Sequence, residues 1–322
     1  MNQTEEQKIE VFTLIQRFLK NPPVIIWGSG ATIPYGLPSM DDLKKSLKSE
    51  LGDLGTSANL ETELGKIDDI NKIDIVKKII RNEVSKKQLE CLKKAIQNMN
   101  YFKSITDMIK KFYDIHPRKI DIVTTNYDCI LEYALSKSDY NFTDGFTGKP
   151  LSNFHSTAFG KKEIVNLIKV HGSLNWLSDE NSNTFCLPYE YEFENLKYTM
   201  VLPAKERKYY ETFIKEPYRT LIGKSDDVIE NANSFLVVGF GFNDEHLTPK
   251  VDSKIKTGTP IVIITEKATD SCMQKLNNAE QYCLFEKDKN ETKVMFKKNN
   301  SPKKSLKLNG NYWKLNKFME VL

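Results

Sequence analysis

The sequence predicts an α/β protein with a Rossmann-like parallel sheet, helices on both faces of the sheet and an inserted helical lobe. Short apolar runs alternate with helical patterns along much of the chain. The first run, Val24–Trp27, continues directly into the glycine turn Gly28-Ser29-Gly30. The following stretch, up to about residue 118, is rich in Lys and Glu at helical spacing. Uninterrupted apolar runs are typical of parallel strands that are buried on both faces.

Further strands are expected at residues 120–124, 164–170, 198–202, 235–238 and 260–264. Helices are expected at residues 4–20, 128–136, 209–231 and 270–278. We therefore assign residues 1–40 and 119–285 to the Rossmann-like core, 41–118 to a helical insertion and 286–322 to a basic C-terminal extension. Ten lysines stand against three acids between Glu286 and Lys317. The extension is either a solvated basic surface or a docking face for an acidic partner or nucleic acid.

The composition places the chain among soluble globular proteins. Of the 322 residues, 39% are hydrophobic and 28% are charged. No stretch approaches the roughly 20 apolar residues of a membrane span, and the polar N-terminus does not resemble a signal peptide. We therefore expect a cytoplasmic protein without membrane contact. The net charge of +4 is too small to indicate nucleic-acid binding by the whole molecule. Its five cysteines form no CxxC pair, so no metal site is expected.

Four polar segments follow predicted strands or end them. Carboxyl ends of parallel strands meet at one edge of a sheet, where ligands bind, so we expect the segments to converge there. They are Gly28-Ser29-Gly30-Ala31, Thr124-Thr125-Asn126-Tyr127-Asp128, His171-Gly172-Ser173 and Gly239-Phe240-Gly241-Phe242-Asn243-Asp244.

Each segment also has a purely structural interpretation. A glycine turn allows backbone N–H groups to approach a pyrophosphate, but the third glycine of a GxGxxG motif is missing here. Asp128 could form an Asx turn or cap a helix, and so could Asn243 or Asp244. A lone histidine is more often structural than catalytic, although the position of His171 at a strand end favours chemistry.

The order and spacing of the four segments, over roughly residues 23–266, resemble the sirtuin-like domain of bacterial antiphage defence proteins. The resemblance implies NAD⁺ as the substrate. It implies that Asn126 and Asp128 match the asparagine and aspartate of the sirtuin TQNID motif, which face the nicotinamide ribose, and that His171 is the catalytic histidine. The dinucleotide-binding residues that it implies, from the pyrophosphate to the adenosine half, are Gly28, Ser29, Gly30, Ala31, Thr125, Gly239, Phe240, Asn243 and Glu266.

Two departures from deacetylating sirtuins shape the expected activity. The chain lacks their four-cysteine zinc module, and Met40-Asp41 replaces their phenylalanine-arginine pair. We therefore expect hydrolysis of NAD⁺ to nicotinamide and ADP-ribose without a metal. In this hypothesis Asn126 holds the ribose and a water, His171 is the general base and Asp128 orients the substrate. The alternatives are a protein deacylase or ADP-ribosyltransferase, and a module that senses NAD⁺ without turnover.

Regulation of such an enzyme is expected because uncontrolled loss of NAD⁺ is toxic. The resemblance implies a homo-oligomer or a separate defence partner, such as a HerA-like ATPase or a short Argonaute. Nucleic acid would then be contacted only through that partner or through the basic extension. Glu266 would repel a 2′-phosphate, which favours NAD⁺ over NADP⁺. The sequence does not choose among these partners, and it leaves open whether the helical insertion covers the nicotinamide pocket, forms an interface or only packs.

Overall fold

A computed structural model describes residues 3–51, 60–64, 67, 69–146, 148, 151–179, 181, 183–187, 197–198, 214–299 and 301–322. The strands are β1 (Val24–Trp27), β2 (Lys119–Thr124), β3 (Phe142–Thr143), β4 (Ser152–Asn153), β5 (Ile164–Lys169), β6 (Trp176–Ser178), β7 (Thr184–Cys186), β8 (Lys197–Tyr198), β9 (Phe235–Val238), β10 (Ile261–Thr265), β11 (Tyr282–Asp288), β12 (Glu291–Lys297) and β13 (Lys304–Asn309). The helices are α1 (Gln3–Phe18), α2 (Met40–Leu51), α3 (Leu60–Leu64), α4 (Ile70–Gln97), α5 (Lys103–Tyr113), α6 (Ile130–Ser136), α7 (Tyr218–Glu230), α8 (Leu247–Lys256), α9 (Asp270–Asn278) and α10 (Leu315–Met319).

A nine-stranded sheet forms the centre of the fold, in the order β13-β12-β11-β10-β9-β1-β2-β5-β3. The neighbouring pairs from β11 to β3 are parallel, and β12 and β13 are added antiparallel at one edge. This arrangement confirms the predicted α/β class with a Rossmann-like parallel core. A smaller antiparallel sheet has the order β4-β7-β6-β8, and all its strands except β4 follow the third polar segment in the chain.

Two apolar cores lie on opposite faces of the large sheet. Ile25 and Trp27 of β1 belong to one core, together with residues of α1 to α6 and α10. Val24 and Ile26 belong to the other, together with residues of α7, α8 and α9. Because successive side chains of a strand point to opposite faces, β1 must be apolar at every position. The uninterrupted apolar run in the sequence therefore reflects burial on both sides.

The described residues between 41 and 118 are helical apart from turns and short connecting segments. Helix α2 packs against α3 and α4, whereas α5 packs against β2, α6 and α10. The apolar face of α5, which includes Ile105 and Phe112, is completely buried. Helix α5 is therefore part of the layer that covers the sheet, whereas α2 packs mainly against α3 and α4.

The basic extension is not a separate tail, because it supplies the end of β11, β12, β13 and all of α10 to the fold. Its strands alternate buried apolar and exposed polar side chains, as at Leu306 and Leu308 of β13. Several of its lysines form ion pairs within the chain: Lys287 with Glu266, Lys298 and Lys304 with Glu10, and Lys307 with Asp288. These pairs reduce the basic character of the surface, which weakens the interpretation as a nucleic-acid docking face.

Two predicted elements differ from the structure in their first or last residues. The helix expected at 209–231 is α7 (Tyr218–Glu230), and residues 209–213 lie outside the described part of the chain. Of the strand expected at 198–202, only Tyr198 in β8 is described. Helix α8 was not predicted. No helix in the described ranges is long and apolar enough to cross a membrane.

Candidate active site

The four polar segments meet where the strand order reverses. From β1 the chain adds β2 and β5 on one side of the sheet, and β9 and β10 on the other. The loops that follow β2 and β5 therefore lie on one side of the turn after β1, and those that follow β9 and β10 lie on the other, which leaves a crevice at this edge of the sheet. Ligands of open α/β sheets bind at such a switch point.

The glycine turn after β1 packs directly against the turn after β9. A Cβ atom on Gly28 would lie 2.4 Å from the carbonyl oxygen of Gly239, and one on Gly239 would lie 2.2 Å from the nitrogen of Ala31. Gly239 also has a φ of +60°, which favours glycine. The N–H groups of Gly28, Gly30 and Ala31 donate to carbonyl oxygens of Val238, Gly239 and Gly28. These glycines are thus required for the contact between the two turns, and their role toward a pyrophosphate stays a prediction.

Asn126 is fixed against this glycine turn by hydrogen bonds of its backbone N–H and of its side-chain amide. The hydroxyl of Thr124 donates to the carbonyl oxygen of Trp27 at 2.8 Å and accepts from the N–H of Asn126 at 3.0 Å. The side-chain amide of Asn126 then donates to the carbonyl oxygen of Gly28 at 3.2 Å. The side chain is buried. The segment after β2 therefore presents the oxygen of a held amide beside the turn after β1.

Asp128 begins the turn into α6 and is a buried acid. Its Oδ1 accepts from the N–H of Ile130 at 3.1 Å, which is the structural interpretation considered from the sequence. Burial raises the pKa of Asp128 to about 6, against the opposing effects of Lys169 and the Ile130 N–H. Asp128 also faces the cavity described below. It therefore combines a local backbone role with a carboxyl group whose pKa is raised by burial to about 6.

His171 and Asp244 form a buried pair between the third and fourth segments. Nε2 of His171 lies 3.0 Å from Oδ2 of Asp244, and both side chains are 4% exposed. The other oxygen of Asp244 accepts from the N–H groups of His246 and Leu247, at the beginning of α8. Burial raises the pKa of Asp244, but the hydrogen bond from His171, its charge and these N–H groups outweigh burial and lower the pKa.

A cavity of about 90 Å³ connects these groups with the helices of residues 41–118. Its polar side contains Asn126, Asp128 and His171, together with Ser29 and Thr125. Its opposite wall is apolar and comes from the turn after Gly36 and from α2, α3 and α4: Leu37, Pro38, Met40, Leu43, Leu60, Leu64, Ile80 and Val84. The helices of the insertion thus cover the crevice, which supports the first of the three roles left open by the sequence.

Some predicted binding residues do not line this cavity in the described structure. Gly239 lies beneath the glycine turn, and Phe240 is buried against Phe242. Asn243 is exposed. Glu266 is 53% exposed and pairs with Lys287 at 2.5 Å. These four residues lie on the β9 and β10 side of the switch point, and their roles toward a dinucleotide stay predictions.

Two residues of the site were not predicted. Asp244 was considered only as a helix cap, because nothing local to its segment indicates the distant His171. Lys169 is completely buried, two residues before His171. Its signal in the sequence was a charged residue inside the apolar run 164–170, which is rare unless the charge is paired.

The family of the chain follows from its sequence over this region. A family model described as a SIR2-like domain matches residues 121–291, which is more than half of the chain. The protein belongs to the SIR2-like domain family. The match includes most of β2, the Asn126–Asp128 segment, the His171 segment, the Asp244 segment and the strands as far as β11. The cavity therefore lies within and next to the SIR2-like domain.

Solved structures resemble the SIR2-like chain with low sequence identity. A Sir2 homolog–NAD complex has a TM-score of 0.49 and 15% identity, with 84% of this chain and 87% of that chain covered. A mutant Sir2 homologue in complex with ADP ribose has a TM-score of 0.49 and 14% identity, with 92% and 89% covered. A structure on the mechanism and regulation of Sir2 enzymes has a TM-score of 0.45 and 12% identity, with 82% and 89% covered. No curated protein matches the chain significantly. Among the described residues, no group of three or more His, Cys, Asp or Glu could hold a metal ion.

Proposed function

We propose that this SIR2-like protein is an NAD⁺ glycohydrolase that releases nicotinamide and ADP-ribose. Membership of the family supports an NAD-dependent, sirtuin-like activity. The observation that carries the proposal is the cavity in which Asn126, Asp128 and His171 face an apolar wall. A flat aromatic ring such as nicotinamide suits an apolar wall, and an amide, a carboxyl group and an imidazole suit ribose hydroxyls and a water. The chemistry of the cavity therefore fits the reactive half of NAD⁺.

The reaction breaks the bond between the anomeric carbon of the ribose and the pyridinium nitrogen. The bonding electrons move to that nitrogen, so nicotinamide leaves as a neutral molecule and needs no general acid. A water oxygen forms the new bond to the anomeric carbon, and His171 accepts the proton of that water. Because Nε2–H of His171 donates to Asp244, the lone pair of the neutral ring is on Nδ1, which is then the proton acceptor.

The other polar groups position the substrate and the water, and they stabilise the charges that develop during the reaction. The side-chain amide of Asn126 donates to Gly28, so its oxygen is available to orient the ribose or the water. An ionised Asp128 stabilises the positive charge that develops on the ribose as nicotinamide leaves. Asp244 keeps the ring of His171 in one tautomer and stabilises its protonated form, as a carboxylate does in other histidine-based sites.

Part of the proposal concerns biological context and rests on the resemblance of the four motifs alone. We assign the protein to antiphage defence, in which loss of NAD⁺ stops an infected cell, with control by self-assembly or by a separate partner. Expression in a bacterial host tests this part. Wild type should protect a culture from phage and lower its NAD⁺ content during infection, whereas His171→Ala should do neither. Protection that persists in His171→Ala would remove NAD⁺ cleavage from the defence role.

The biochemical test separates hydrolysis from the alternatives. Purified protein is incubated with NAD⁺, with and without an acetyl-lysine peptide, and nicotinamide and ADP-ribose are followed by chromatography. Hydrolysis predicts that both products form without peptide. A deacylase would release nicotinamide only with the peptide, and a sensor would bind NAD⁺ and leave it intact.

A further inference from the structure

Lys169 is a charged residue in the interior of the protein. It occupies the last position of β5, two residues before His171, and it is 0% exposed. Burial of an ammonium group is costly unless the group is paired and hydrogen-bonded. Here Glu132 and the surrounding groups outweigh burial, so the pKa of Lys169 is raised and the side chain remains charged.

The ammonium group of Lys169 donates three hydrogen bonds, one each to the segment after β2, to α6 and to the loop after β5. It donates to the carbonyl oxygen of Asp128 at 2.7 Å, to Oε1 of Glu132 at 2.5 Å and to Oγ of Ser173 at 2.7 Å. An ammonium group has three donors, so this set is complete. Glu132 lies on α6, which leaves Asp128 and Ser173 as the two contacts within the site segments.

These two contacts join the segment of Asn126 to the loop of His171. Ser173 adds a second link, since its hydroxyl donates to the carbonyl oxygen of Tyr127 at 3.3 Å. Hydrogen bonds from a charged donor are roughly twice as strong as neutral ones. The segment after β2 and the loop after β5 are thus bound to one cation, although they are separate in the chain.

We propose that Lys169 is a positioning residue of the active site, which holds Asn126 and Asp128 at a fixed place relative to His171. The importance of Lys169 for catalysis rests on the proposed NAD⁺ hydrolysis. Its role in holding the two segments together does not depend on that proposal. Lys169 lines no part of the cavity in the described structure, so it acts through the residues that it holds.

The same cation balances the charge around Asp128. The groups that face this region are Glu132 from α6, Asp144 after β3, Cys129 at the beginning of α6, Cys186 from β7 and Cys91 from α4. Burial raises the pKa of Asp144 to about 6, as it does for Asp128. Lys169 lowers the pKa of Asp128 and Glu132 raises it. Loss of either partner should therefore shift the titration of Asp128, in opposite directions.

The first test does not depend on catalysis. Hydrogen–deuterium exchange is compared for wild type, Lys169→Met, Ser173→Ala and Lys162→Met, the last being an exposed lysine just before β5. Lys169→Met should accelerate exchange about tenfold or more in residues 125–131 and 170–175, with β1 and β9 unchanged. Ser173→Ala should act on the same segments to a smaller extent, and Lys162→Met should have no effect. Unchanged protection of both segments in Lys169→Met would overturn the proposal.

The second test uses nicotinamide release over a range of pH. Lys169→Met should lower kcat about 100-fold with little change in KM, and it should move the acid limb of the profile to higher pH. Glu132→Gln should move that limb to lower pH. A purely structural loss would lower the amount of active enzyme without displacing the limb. An unshifted limb in both variants would contradict the charge-balancing role.

Two precautions keep the result decisive. If Lys169→Met does not fold, Lys169→Met/Glu132→Gln removes both members of the buried Lys169–Glu132 ion pair and should fold, with both segments still exchanging rapidly. Ser173→Ala tests the same connection between the two segments, because it removes the hydroxyl that accepts from Lys169. If wild type releases no nicotinamide, the proposed function fails, while the exchange experiment still decides the role of Lys169.

Discussion

Nε2 of His171 lies 3.0 Å from Oδ2 of Asp244, and this hydrogen bond joins the third and fourth polar segments of the chain. The carboxylate of Asp244 is also fixed by two backbone N–H groups at the beginning of α8. The imidazole is thereby held in one orientation next to Asn126 and Asp128, which face the same cavity. A histidine held in this manner is suited to accept a proton, whereas a packing role would not require the carboxylate.

Asp244→Asn separates the catalytic effect of this pair from its structural effect. Asparagine retains an oxygen that can cap α8, but it removes the negative charge that orients and stabilises His171. We expect kcat for nicotinamide release to fall about 100-fold or more while the melting temperature changes little. Glu245→Gln, at an exposed neighbour, is the matched control and should retain activity. A fully active Asp244→Asn would exclude the proposed role of the pair.

Ionisation of Asp128 should contribute to the acid limb of the activity profile. Burial raises the pKa of this carboxyl group to about 6, and the hypothesis requires its ionised form. Activity should therefore decrease as the pH falls through about 6, and Asp128→Asn should be almost inactive at every pH. Steady-state rates of nicotinamide release between pH 4.5 and pH 8.5, in roughly half-unit steps, measure this limb. A profile that is flat through pH 6 would contradict the assignment.

The same shift has a consequence for stability. The pKa of Asp128 in the folded protein is higher than its value of 3.8 in an unfolded chain, so ionisation within the fold is unfavourable. Its favourable contribution is complete below pH 3.8 and is lost as the pH rises through about 6. Asp128→Asn should therefore raise the melting temperature at pH 8 more than at pH 5. Asp144→Asn should behave similarly because the pKa of Asp144 is raised to about 6 as well. Equal changes in melting temperature at both pH values would show that the pKa of neither carboxyl group is raised in the folded protein.

Because the two glycine turns are in contact, replacement by alanine should destabilise the protein at Gly28 but not at Gly223. In Gly28→Ala the new methyl group would lie 2.4 Å from a backbone oxygen, so the turns must separate. We expect a loss of about 1–3 kcal/mol in the free energy of unfolding. Gly223→Ala in α7 is the control, since nothing lies within 4 Å of its Cβ position. It should stabilise the protein by roughly 0.5–1 kcal/mol. Urea denaturation measures both, and an unaffected Gly28→Ala would refute the close approach.

The apolar wall from the helical insertion should control access to the cavity. Val84 on α4 is buried and lines the cavity, so Val84→Phe should fill part of the space opposite His171. We expect the KM for NAD⁺ to rise about tenfold, which corresponds to about 1.4 kcal/mol of binding free energy. Ile75→Phe, on the same helix but 47% exposed, is the control and should leave KM unchanged. Equal KM values for wild type and Val84→Phe would place the substrate elsewhere.

The strands and motifs could be predicted because their signals are local. Val24–Trp27 had to be apolar at each position for burial on both faces, and the turn that follows it had to contain glycine. The strands β12 and β13 were missed because lysines at their exposed positions concealed the alternation that buries Leu306 and Leu308.

Relationships between distant segments could not be predicted in the same way. The partner of His171 is set by packing of the loops after β5 and β9, and no local pattern indicates it. The same is true of the cavity wall, because Val84 becomes a lining residue only when α4 folds over the crevice. The buried Lys169 did leave a local signal, a charge in an apolar strand, but its three partners come from the tertiary structure.

The most direct test of the central claim is a chromatographic assay of NAD⁺ incubated with wild type and with His171→Ala. Circular dichroism and calorimetric binding of ADP-ribose show whether the variant is folded and retains the dinucleotide site. The account predicts that wild type converts NAD⁺ to nicotinamide and ADP-ribose in equal amounts, and that His171→Ala binds ADP-ribose but releases no nicotinamide. Equal release by both proteins, or a wild type that binds NAD⁺ and leaves it intact, would contradict the account.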